Sequence, residues 1–258
     1  MKRLWLLAAL VCACGVGADA TTIVVFRDEQ AFYIGADSLR RREIGNEKTR
    51  LQICKISRYG DLYATSAGVA NYAGGFSVEP YIMIAATSAL PSLAMKLELL
   101  DERIVEPLTS LARRIRSDDS IAWKTYQRRG LVEVAFAGIE GGRPTVLQRI
   151  YSPVVSPGDQ VEIRVLKCPS TDCASGGQIF LLGETQAALR KLGTQSPYPP
   201  SIRPQEVIRD LIGLEIREQP DYVGPPINIL RVNSDRTRNW LQGGDVCKLA
   251  PSTSPRLE

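Results

Sequence analysis

Two apolar runs rich in β-branched and aromatic residues, 22–26 and 31–34, flank the polar tetrapeptide Arg27-Asp28-Glu29-Gln30, a pattern that predicts a β-hairpin. The second run closes on the small residues Gly35-Ala36 before Asp37-Ser38, which permits close backbone approach. Residues 39–50 are dense in charge and read as a solvated loop. A short strand at 51–57 then carries Cys54 and Lys55, and another at 62–66 ends at Ala67-Gly68. From residue 78 the period lengthens to that of a helix. Leu97, Leu100, Ile104, Leu108, Leu111 and Ile115 recur at steps of three or four. They predict helices over 78–90 and 94–116, separated by Pro91, with a kink or break at Pro107. Further strands are expected at 131–139, 145–151, 161–166, 178–182 and 227–232, and further helices at 184–192 and 204–217. Strands grouped apart from helices argue for an α+β domain whose antiparallel sheets are covered by helix layers.

The first twenty residues follow a different rule. Lys2 and Arg3 precede an apolar stretch over 4–16, and Ala18-Asp19-Ala20 supplies small residues around a cleavage point, the pattern of a secretory signal. Removal of residues 1–20 leaves 238 of the 258 residues, enough for one domain over 21–249. The polar tail 250–258 is expected to be loose. The net charge of +4 falls to +3 when Lys2, Arg3 and Asp19 are lost. That charge is too mild, and too interspersed with acids, for a nucleic-acid partner. No later apolar run reaches the length of a membrane span. The expected location is the periplasm or the exterior. A minor alternative is lipoprotein anchoring, because Val11-Cys12-Ala13-Cys14 faintly resembles a lipobox, and lipidation at Cys14 would leave Thr21 inside the chain.

Histidine is absent from the sequence, which removes Ser-His-Asp and Cys-His catalysis and histidine metal sites. An enzyme built from this chain must take its base from a carboxylate, a lysine or a terminal amine. Cleavage after Ala20 would create such an amine on Thr21, beside the threonine hydroxyl it could activate. No metal or other cofactor is needed for that chemistry. Four cysteines lie beyond the signal: Cys54, Cys168, Cys173 and Cys247. An even count in an exported chain suggests disulfides. Cys168 and Cys173 bracket a short turn-rich loop and are expected to pair. Cys54 and Cys247 remain either as a second pair or with Cys54 as a buried strand residue.

The order of elements, with Thr21-Thr22-Ile23-Val24-Val25 behind the cleavage site, resembles the proteasome-type N-terminal nucleophile hydrolases. These include proteasome β-subunits and the peptidase subunit of the bacterial two-component ATP-dependent protease. The resemblance spans most of 21–232 and is strongest over 21–70. It implies a four-layer αββα sandwich and assigns roles residue by residue. Thr21 would be the nucleophile. Asp37, sixteen residues later in Gly35-Ala36-Asp37-Ser38, falls at the offset of the family's active-site aspartate. A strand-end aspartate satisfying turn N–H groups is the plainer alternative. Lys55 aligns with the family's lysine two residues late, with Lys48 as its competitor. Gly68, in Thr65-Ser66-Ala67-Gly68, would donate to the oxyanion, or would simply occupy a tight turn. The family's later serine is replaced near Gly183 by Glu184 or Thr185. Asp221 survives from the motif that supports the terminal amine, but Val223 stands where that motif has serine.

The expected function is therefore an exported threonine hydrolase that cleaves amide bonds, in peptides first of all, through an acyl-enzyme. An amidase acting on a small non-peptide amide is the second reading. A silent scaffold retained for binding or assembly is the third, opposed by the joint survival of Thr21, Asp37 and Lys55. The family assembles through helices corresponding to 78–116, so the resemblance admits a homo-oligomer.

Overall fold

The structure, a computed structural model, describes residues 21–44, 47–69, 71–72, 76–171, 173, 178–194, 198 and 201–248. The expected signal over 1–20, the lipidation alternative at Cys14 and the tail over 250–258 lie outside the described residues. The chain begins with β1 (Thr22–Arg27), β2 (Ala31–Asp37), β3 (Leu39–Ile44), β4 (Glu47–Gln52), β5 (Ser57–Tyr59) and β6 (Leu62–Gly68). Two short strands, β7 (Asn71–Tyr72) and β8 (Phe76–Ser77), lead to α1 (Glu79–Thr87), α2 (Leu93–Asp118) and α3 (Ser120–Arg129). Then come β9 (Val132–Glu140), β10 (Arg143–Ser156), β11 (Gln160–Cys168), β12 (Ile179–Gly183), α4 (Gln186–Thr194) and α5 (Pro204–Glu218). The last elements are β13 (Ile227–Asn233), β14 (Arg238–Gln242) and α6 (Asp245–Lys248).

Ten strands form two five-stranded sheets, one ordered β12-β1-β2-β13-β14 and the other β11-β10-β9-β6-β5. Every neighbouring pair in both is antiparallel. Strand alternation then sorts side chains to opposite faces. In β1, Ile23 and Val25 join Ala67, Ala135 and Ala137 of the other sheet in one apolar cluster, whereas Val24 faces Ile208 and Leu211 of α5 in another. A third cluster gathers Val132, Val134 and Phe136 of β9 with the buried stripe of α2. Leu97, Leu100, Ile104, Leu108, Leu111 and Ile115 of that stripe are each at most 1% exposed. Full burial of each contributes roughly 1.5–3 kcal/mol, so the stripe is what docks α2.

Helix α2 runs through Pro107 without the break expected there. Proline removes one helical hydrogen bond there, but it sits on the half-exposed side while Ile104 and Leu108 stay buried on the other. The sequence reading missed α3, which Asp119 initiates by accepting from the N–H groups of Ile121 and Ala122. It also missed β14 and α6. The charged stretch 39–50 is not a loop but the β3–β4 hairpin, with Leu39 opposite Gln52. A two-stranded ribbon needs no continuous apolar face, so its charge density concealed it. Conversely, the strand expected over 51–57 is only partly regular, since 53–56 lie between β4 and β5 without strand pairing. Among the described residues no helix is long and apolar enough to cross a membrane.

Candidate active site

Thr21 sits immediately before β1 and is only 4% exposed. Antiparallel pairing sets Thr22 opposite Gly183, which brings the start of β1 against the end of β12. The Thr21 carbonyl accepts the Glu184 N–H at 2.7 Å, and the Thr22 hydroxyl donates to the Glu184 carbonyl at 2.6 Å. Gly183 is what allows this approach. Its φ is +84°, and an added Cβ would stand 1.9 Å from the Thr21 carbonyl oxygen.

Asp37, at the end of β2, is fully buried and gathers four donors. Its Oδ1 accepts the Thr22 N–H at 2.8 Å and the Lys55 ammonium at 2.9 Å. Its Oδ2 accepts the Leu39 N–H at 3.1 Å and the Gly224 N–H at 3.3 Å. Burial pushes the Asp37 carboxyl above its ordinary value, while Lys55 and the backbone donors pull it back. Lys55 projects from the irregular segment 53–56, whose Ile53 N–H bonds the Ser38 carbonyl at 2.9 Å. The Thr65 hydroxyl holds the Lys55 carbonyl, also at 2.9 Å. Asp37 and Lys55 are thus brought together, and Asp37 in turn holds the Thr22 N–H. Lys48, the alternative lysine, has a side chain outside the described residues.

Gly68 ends β6 opposite Val132, with φ +90° and a Cβ direction that meets the Leu131 carbonyl at 2.5 Å. Its turn therefore demands glycine. The Glu184 carboxylate pairs with Arg129 at the end of α3, so only the Glu184 backbone reaches Thr21 and Thr22. The Asp221 side chain is 68% exposed and lies 3.4 Å from Arg50. Within that loop it is the Gly224 N–H that reaches Asp37, while Val223 is wholly buried. Sequence reasoning missed Gly224, as any backbone donor is easily missed.

It also missed Glu133, which lies opposite Ala67 beside the Gly68 turn. The Glu133 Oε1 accepts the Gly183 N–H at 3.2 Å and its Oε2 accepts the Gln148 amide at 3.1 Å. Burial pushes this carboxyl up to about 8, the two donors offsetting part of the cost. Glu133, Gln148, Gly183, Thr185 and Arg129 line a cavity of about 320 Å³ next to the segment that grips Thr21. Cys54 is bonded to Cys247 and Cys168 to Cys173, with sulfur separations of 2.05 and 2.12 Å.

No protein-family model and no curated protein matches the chain. Solved structures do resemble it. Anbu from Hyphomicrobium sp. strain MC1 superposes with a TM-score of 0.51 at 17% identity, covering 87% of this chain and 88% of that one. A mutant of the same protein gives 0.52 at 18% identity, over 87% and 88%. Anbu from Yersinia bercovieri, described as an ancestral beta-subunit, gives 0.52 at 15% identity, over 86% and 87%. Likeness at these identities is likeness of fold, and the chain has the proteasome-like fold of Anbu.

Proposed function

We propose that this protein is an exported threonine hydrolase that cleaves amide bonds, in peptides above all, with Thr21 as its mature first residue. The observation that carries the reading is the Asp37 carboxylate, on whose Oδ1 the Thr22 N–H and the Lys55 ammonium converge. That convergence ties the strand start to a buried cation. The proteasome-like fold supports it. Three apolar clusters, one shared by both sheets and one between each sheet and its helices, support a four-layer αββα sandwich. Two disulfides suit an oxidising compartment.

In the proposed mechanism the Thr21 Oγ1 attacks the substrate carbonyl carbon and its proton passes to the Thr21 α-amine. The Lys55 ammonium favours the developing alkoxide, and Asp37 offsets the cost of burying that ammonium. The oxyanion of the tetrahedral intermediate takes the Gly68 N–H. Collapse transfers the proton to the leaving amine and leaves an ester on Thr21. Water, activated by the same amine, then releases the acid and restores the enzyme.

The test is N-terminal sequencing of the exported protein together with hydrolysis of fluorescein-labelled casein. A mature chain that begins at Thr21 and digests casein, with loss of digestion in Thr21→Ala, is expected. An active mature chain that retains residues ahead of Thr21 would overturn the proposal.

A further inference from the structure

We infer that the Cys54–Cys247 disulfide, seated through Asn228, is a latch that positions Lys55 on Asp37, so that turnover depends on its oxidised state. The inference rests on the reading of Lys55 as an active-site group. It begins with a deficit. Lys55 belongs to no strand, and a lysine on an irregular segment has many rotamers and several backbone positions open to it. Yet its side chain is only 6% exposed and its ammonium meets one oxygen of a fully buried carboxylate. An ammonium buried in this way is tolerated only while its carboxylate stays within reach. Something must fix the segment.

Two hydrogen bonds do part of this, Ile53 N–H to Ser38 and the Thr65 hydroxyl to the Lys55 carbonyl. The covalent tie comes from the residue next to the lysine. Cys54 is bonded to Cys247, 193 residues away in α6, close to the end of the described chain. The α6 segment is in turn anchored to the aspartate side of the pair. The Gly244 N–H donates to the Asn228 Oδ1 at 2.8 Å, and the Asn228 Nδ2 donates to the Ser38 Oγ, next to Asp37. The Cys247 N–H closes onto the Gly244 carbonyl at 3.1 Å. Asn228 itself is 1% exposed.

The contacts therefore form a closed ring: Lys55, Asp37, Ser38, Asn228, Gly244, Cys247, Cys54 and back to Lys55. The turn before α6 is shaped for that seat. Gly243 has φ +61°, and a Cβ there would stand 2.5 Å from the Asn228 Oδ1; Gly244 has φ +92° and would meet Trp240 at 2.6 Å. Neither position accepts a side chain. A disulfide that only stapled a loose terminus would not need a buried asparagine and two crowded glycines tying it back to the active-site aspartate. The second disulfide, Cys168–Cys173, spans five positions and makes no such ring among the described residues.

Reduction by a dithiol would replace the Cys54–Cys247 bond with two S–H groups, the dithiol giving two electrons and two protons and becoming a cyclic disulfide. Lys55 would then be held by hydrogen bonds alone, and small displacements of a catalytic constellation are costly in rate. The test uses the mature protein carrying Cys168→Ser and Cys173→Ser, which leaves one disulfide. The probe is p-nitrophenyl acetate, with the Thr21→Ala rate subtracted. Cys247→Ser in this background is expected to lower kcat by roughly tenfold to a hundredfold, with KM little changed. Activity should rise with pH as the proposed Thr21 amine loses its proton, and a nearby Lys55 ammonium should hold that limb below the ordinary α-amine range of about 7.7–8.0, so in Cys247→Ser the limb should move up toward that range. A purely structural role would not move that limb. Lys55→Ala is measured alongside. If it is as active as its parent, the reading of the site fails. If it is impaired while Cys247→Ser keeps full kcat and an unshifted limb, the latch alone fails. Should Cys247→Ser not fold, the folded parent is reduced and followed by activity and circular dichroism. Activity lost with the spectrum intact, and regained on reoxidation, supports the latch; retained activity, or joint loss of both signals, overturns it.

Discussion

The Lys55 ammonium lies 2.9 Å from the Asp37 Oδ1, with 6% of the lysine side chain and none of the aspartate's exposed. Two buried charges in contact are less a source of stability than a mutual obligation. Asp37→Asn should therefore cost about 3–5 kcal/mol by leaving an uncompensated ammonium. Adding Lys55→Met should restore part of that stability without restoring activity. Urea titration of the single and double variants, with casein digestion in parallel, checks both. Lys55→Arg should not rescue turnover, because a planar fork cannot replace a point charge in a site whose acceptor oxygens are already engaged.

The proposed nucleophile makes its own demand on pH. With no histidine in the chain, a limb rising between roughly pH 6 and 8 requires another titrating group, which the proposed Thr21 amine would supply. Because burial also pushes the nearby Glu133 carboxyl up to about 8, the profile is repeated in Glu133→Gln, where the limb should persist. Only the neutral amine accepts the hydroxyl proton, so activity rises as it deprotonates. Thr21→Ser should keep part of the activity and the limb. One extra residue ahead of Thr21 converts the amine to an amide and should remove both. Asp37 adds a second, more acidic loss, displaced above the ordinary aspartate range because burial favours its protonated form. A pH profile of kcat on the three proteins decides this.

Glu133 predicts a pH dependence of stability rather than of rate. Its folded-state value of about 8 lies above the 4.5 of a free glutamate, so between those values the folded protein holds a proton that the unfolded chain has released. Stability then falls as pH rises through this window, by up to about 1.4 kcal/mol per unit. Glu133→Gln keeps the shape and removes the charge. It should flatten that slope, and above pH 8 it should be more stable than its parent. Thermal melts across pH 5 to 9, on the order of one per unit, suffice. A slope unchanged in Glu133→Gln would contradict the assignment.

Gly183→Ala should be damaging out of proportion to one methyl group. The new Cβ would stand 1.9 Å from the Thr21 carbonyl oxygen at a φ of +84°, so the β12 end and the Thr21 segment must separate. A loss of roughly 2–4 kcal/mol is expected from strain and overpacking together. Casein digestion should fall further than stability alone explains. Gly141→Ala serves as the control, since that glycine has positive φ but nothing within 4 Å of its Cβ direction.

By itself the sequence determined what depends on near neighbours. The β1–β2 and β9–β10 hairpins and the six-residue stripe of α2 are legible because alternation and helical period act over a few residues. The offset of Asp37 from Thr21 can be counted along the chain, but its meaning came from the family resemblance and not from periodicity. The β3–β4 hairpin and the irregular 53–56 segment were not legible, because a charge-dense two-stranded ribbon and a lysine turned inward leave no periodic apolar trace. Only the tertiary structure decided that Gly224 rather than Asp221 reaches Asp37, and that the Glu184 backbone rather than its carboxylate grips Thr21. It alone set Glu133 beneath Gly183 and joined Cys54 to Cys247 across 193 positions. The physical reason is common to all of these. Backbone N–H groups are the same on nearly every residue, so no side chain marks which will donate, and contacts between distant segments follow from how whole sheets and loops dock.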